Sequence, residues 1–81
     1  MRIEDAFDLP DHGAVLQVKA WVPGNACRVR LNPGKRGAIE TTAVVDRPIG
    51  DHVQAALLVR GFTASDFSIG DKIEFVSGDV G

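Results

Sequence analysis

Apolar and polar residues alternate along this chain in short runs, each closed by glycine or proline. The cleanest run is Cys27–Leu31, where Cys27, Val29 and Leu31 share one face and Arg28 and Arg30 the other. That period of two predicts a strand with one wet face. Gly13–Trp21 predicts a second strand with Ala14, Leu16, Val18 and Ala20 facing inward, although Val15 and Trp21 make its other face apolar as well. Ala38–Asp46 carries the β-branched residues Ile39, Thr41, Thr42, Val44 and Val45, which suit a pleated surface. Val53–Arg60 alternates as Val53, Ala55, Leu57 and Val59. Its continuous apolar run also fits a short buried helix, since periodicity alone does not separate the two. The shortness of the run and its stop at Arg60-Gly61 favour a strand. Lys72–Val76 places Ile73 and Phe75 inward, and Arg2–Asp8 forms a weaker strand. Ala64–Phe67 predicts one 3₁₀ turn with Thr63 as its cap. No stretch supports a long amphipathic helix.

Nine glycines and four prolines punctuate these segments in 81 residues, with no linker, repeat or low-complexity tract. The length fits a single domain covering 1–81. Short strands at such spacing predict an all-β sandwich or barrel. Open strand edges invite pairing with other chains, and closure removes them with few residues, so a small antiparallel β-barrel of about six strands is the expected fold.

Charge changes the picture little. Nine Lys and Arg against eleven Asp and Glu leave a net −2, which excludes a broadly polybasic binder but not a local basic patch. A single cysteine excludes an intramolecular disulfide framework and a Cys-based zinc site. No apolar run approaches the roughly 20 residues that span a bilayer as a helix. Acidic residues stand near the N-terminus where a secretory leader would be apolar. The expectation is a cytoplasmic protein with no membrane partner.

Two blocks carry a resemblance. The first is Ile3-Glu4-Asp5-Ala6-Phe7, then Leu9-Pro10, then His12-Gly13-Ala14-Val15. The second is Ile49-Gly50-Asp51-His52-Val53, then Leu57-Leu58-Val59-Arg60-Gly61, then Asp66-Phe67-Ser68-Ile69-Gly70-Asp71-Lys72-Ile73. Together they resemble domain 2 of elongation factor Tu and related translational GTPases, in family order, from Ile3 to Phe75. Two of these glycines also have a local reason: Gly61 ends a strand at a sharp turn, and Gly70-Asp71 suits a tight turn before the last strand. There are departures. Gln17–Asn25 stands in place of a longer connection with a Gly-Asp turn, and His52–Arg60 is about two residues longer than its counterpart, a change that preserves side-chain alternation. The 81 residues contain no Gly-x-x-x-x-Gly-Lys-Ser/Thr phosphate loop. The expectation is a domain 2 standing alone, without a GTPase domain.

The resemblance implies a β-barrel that docks on a translational GTPase or the ribosome. In elongation factor Tu this barrel also helps hold the 3′ end of aminoacylated transfer RNA, with apolar side chains and a glutamate around the terminal adenine. Carried over by position, Leu9, Val15 and Leu58 would be apolar pocket members, and Val45 stands where the glutamate would be. The competing account of these four is ordinary barrel packing.

Other residues bear on chemistry. Lys19, Arg28, Arg30, Lys35 and Arg36 form a candidate RNA-binding group, Lys19 being placed near the basic strand in the expected sheet. Such a group would bind phosphates with strong salt dependence. The alternative is a solvated hairpin whose charges protect an edge. Only Trp21 stands beside it to stack a base, fewer aromatics than single-strand binders use. Asp5, Asp8, Asp11 and His12 fit no zinc or EF-hand spacing and read as a solvated loop. Cys27 falls on an apolar face, as a small buried hydrophobe does. Ser65 and Ser68 lack a Gly-x-Ser-x-Gly context. No acid, base and nucleophile assemble into a catalytic set. The expected function is therefore a non-enzymatic, translation-associated protein- or RNA-docking barrel without cofactor or metal. The alternatives are a single-stranded or transfer RNA-binding barrel using the basic strand and turn, and more remotely a small enzyme.

Overall fold

The computed structural model describes residues 1–20, 22, 25–32, 37–46 and 54–78. The chain adopts the expected all-β antiparallel architecture. Among the described residues six strands form: β1 (Ile3–Leu9), β2 (Gly13–Val18), β3 (Ala26–Leu31), β4 (Ile39–Asp46), β5 (Ala55–Val59) and β6 (Glu74–Gly78). A 3₁₀ turn at Ala64–Asp66 lies between the last two. The run before Arg60 is a strand, not a helix. Trp21, Lys35, Arg36, Asp51, His52 and Val53 lie outside the described residues.

All six strands belong to one sheet in the order β1-β2-β5-β4-β3-β6, with antiparallel pairing throughout. The sheet curls like a barrel without closing as a continuous ladder. Among the described residues its two edges are tied at one end. There an isolated bridge joins Arg2 to Lys72. The Ile3 N–H donates to the Asp71 carbonyl at 2.9 Å, and the Gly70 and Ile73 N–H groups donate to the Ile3 and Met1 carbonyls, both at 2.7 Å. The Met1 ammonium donates back to the Ile73 carbonyl at 3.1 Å.

Period-two alternation decides which side chains go inside. Ala14, Leu16 and Val18 of β2, Cys27, Val29 and Leu31 of β3, Ala43 and Val45 of β4, and Ala55, Leu57 and Val59 of β5 are all buried. Phe62 and Phe67 flank the 3₁₀ turn and pack on each other with ring centroids 5.7 Å apart, joining the same core. Such tilted aromatic pairs add to the stabilisation from burial itself. Two inward expectations hold only in part. Ala20 is half-buried, beyond the end of β2. Phe75 opposes Val29 yet stays 45% exposed. It sits on an edge strand whose register against β3 shifts between Arg28 and Val29, and no described strand pairs with the far side of β6.

The β1–β2 connection is tight. Asp11 takes φ 67°, Gly13 takes φ 137°, and the His12 N–H closes the turn on the Leu9 carbonyl at 3.0 Å. A Cβ on Gly13 would lie 2.3 Å from the Val59 carbonyl oxygen, so glycine is what lets β2 begin hard against the end of β5.

Candidate functional site: an apolar groove outside the sheet

The alternation that buries Leu16 and Leu57 turns their neighbours outward. Cross-strand register then lines those neighbours up. Phe7 opposes Val15, Val15 opposes Leu58, and Leu58 opposes Val44, giving one apolar row across β1, β2, β5 and β4. Leu9 extends it along β1. Side chains paired this way touch across the strands, which is why Val15 faces outward yet is only 8% exposed. Phe7 and Val44 at the ends of the row remain 42% and 47% exposed.

Val15, Leu58 and Val44 of this row floor a groove of about 330 Å³, which Leu9, Val45, Asp46 and Ala56 also line. That size lies at the lower end for small-ligand sites. The next row along the same face runs Asp5, Gln17, Ala56 and Asp46, with a carboxylate at each end. Among the described residues no base is ion-paired with Asp46.

The structure therefore brings Leu9, Val15, Val45 and Leu58 to one concavity, but not on equal terms. Val45 opposes Leu57 and belongs to the core. Val44 is the β4 side chain that completes the outer row, and Asp46 is the acid beside it. The signal for both was alternation from Ala43, whose small side chain faces inward and puts Val44 and Asp46 outside.

The basic group is less coherent. Arg28 Nε meets Glu40 Oε1 at 3.1 Å, and its Nη1 donates to Thr42 Oγ1 at 3.2 Å. Arg30 Nη1 donates to Glu74 Oε2 at 2.7 Å, and Nη2 lies 3.6 Å from Glu40 Oε2. Two guanidinium groups thus face two carboxylates, leaving little net field to attract phosphate. Lys19 is not beside them. It follows β2, which β5 and β4 separate from β3. It lines instead a small pocket of about 80 Å³ with Glu4, Gln17 and Gln54.

The N-terminal acids have structural work. Asp5 Oδ1 accepts the Ala6 N–H at 2.9 Å, and Asp8 Oδ1 accepts the Ala64 N–H at 2.8 Å, tethering the 3₁₀ turn to β1. The Thr63 N–H donates to Asp66 Oδ2 at 2.9 Å, the carboxylate half of a capping box. Among the described residues no cluster of His, Cys, Asp and Glu could hold a metal ion. No helix formed by the described residues is long and apolar enough to cross a membrane. Cys27 is fully buried, and desolvation pushes its thiol pKa above the usual value, so little thiolate forms at neutral pH.

Comparison of the chain with known protein families, with curated proteins and with solved structures finds no match.

Proposed function

We propose that this chain is a non-enzymatic docking barrel of the translation-factor domain 2 kind, and that its contact surface is the groove across β1, β2, β5 and β4. One observation carries the reading: Leu9 and Val15 of the β1–β2 hairpin and the sequence-distant Leu58 of β5, the apolar pocket positions implied by the resemblance, line one outer groove. Core packing alone does not account for an apolar row on the wet side of a sheet. The partner on this reading is a translational GTPase or the ribosome. RNA binding through Arg28 and Arg30 is the weaker alternative, because Glu40 and Glu74 neutralise that strand.

The test is co-sedimentation with ribosomes together with capture of a purified translational GTPase, each with and without nuclease. Retention should survive nuclease and be lost in Val44→Asp, whose side chain is already 47% exposed and whose fold should persist. An empty gradient and an empty capture would reject the reading. Transfer RNA binding that weakens with salt and with R28Q/R30Q would assign the RNA alternative instead.

A further inference from the structure

We infer that the groove takes a protein segment presenting large apolar side chains flanked by Lys or Arg. This deepens the docking-barrel reading and rests on it. The floor formed by Val15, Leu58 and Val44 calls for apolar contact, and charge then selects among occupants. Asp46 is the charged residue among the described residues that line the groove, and Asp5 stands at the other end of the adjoining row. No described base pairs with Asp46. Arg60, which continues the outer face of β5, is not among the lining residues.

That arrangement disfavours the other occupants. A nucleic-acid backbone would bring phosphates toward Asp46, the charged residue among the described lining residues. An anionic membrane surface would be repelled in the same way. A second copy docked groove to groove about a two-fold axis would bring only the same lining residues to Asp46, and none of those described is a base. A segment with a Leu, Phe or Met for the floor and a cation for Asp46 meets both demands, as charge-complementary interfaces do.

Selection from a display library of random linear peptides tests this, with the V44D protein as counter-selection. Recovered sequences should carry Lys or Arg beside large apolar residues. A synthesised winner should shift the backbone amide signals of Phe7, Val15, Val44 and Leu58 in NMR spectra. Asp46→Asn should weaken it about 1.5- to fivefold, the range for an exposed ion pair. Acidic or uncharged winners, winners that bind V44D equally, unchanged affinity in D46N, or no enrichment at all would each overturn the inference. So would an oligoribonucleotide with an unpaired 3′ adenosine that shifts the same amides at lower concentration than any peptide. Peptide selection involves no ribosome. Basic winners with an empty ribosome gradient and an empty GTPase capture would therefore sink the translation reading and leave the surface standing.

Discussion

Two glycines separate steric from conformational demand at single positions. Gly61 has φ 83° and open space within 4 Å of where a Cβ would stand, whereas Gly13 has φ 137° and the Val59 carbonyl in the way. Gly61→Ala should cost about 1–2 kcal/mol from the left-handed backbone alone. Gly13→Ala should cost clearly more, because β2 must also retreat from β5; urea denaturation of the two variants measures the difference. Cys27 offers a second contrast. Its folded pKa lies above the usual 9.0, so the unfolded state loses its proton first as pH rises. The thiol's contribution to stability is therefore intact below pH 9.0 and declines above it. Unfolding free energy followed from neutral to alkaline pH should fall less steeply in Cys27→Ala than in the parent. An alkylating reagent should label the native thiol only as fast as the protein opens.

At the scale of strands, adjacent leucines on β5 have opposite duties. Leu57 is fully buried, and Leu57→Ala should cost about 2–5 kcal/mol. Leu58 lies half-buried in the outer groove, and Leu58→Ala should cost well under half of that while weakening any groove ligand; thermal melts and the peptide titration separate the two effects. Edge strand β1 carries its own guard. Asp5 occupies the Ala6 N–H that an incoming strand would need. Asp5→Ala should leave the melting temperature nearly unchanged and raise aggregation on storage, read by light scattering. Much of this was legible in the sequence, because period two marks a strand wherever one face is wet: Cys27, Val29 and Leu31 announced β3 outright. Val44 and Val45 misled, since two adjacent valines give no parity, and only the buried Ala43 before them resolves which one faces out. Strand order was not legible at all. Lys19 was expected beside Arg28, but β5 inserts next to β2, and no local pattern around Lys19 encodes that pairing.

For the molecule as a whole, the sheet depends on pairings between distant parts of the chain. β2 waits for β5, β3 pairs with β6, and Met1–Ile3 bond to Gly70–Ile73. Such topology closes long loops before it gains contacts, which slows folding. Refolding followed by stopped-flow fluorescence of Trp21 should take milliseconds to seconds, far slower than a helical bundle of this size; a microsecond phase carrying the full amplitude would contradict the architecture. The knot of bonds linking Met1–Ile3 to Gly70–Ile73 has a further bearing on how the protein is made. While synthesis is still under way, Met1–Ile3 have nothing yet to meet, and β1 keeps an unsecured flank. Assembly by instalments is therefore denied to it, and the native state should lock only once residue 73 has cleared the exit tunnel.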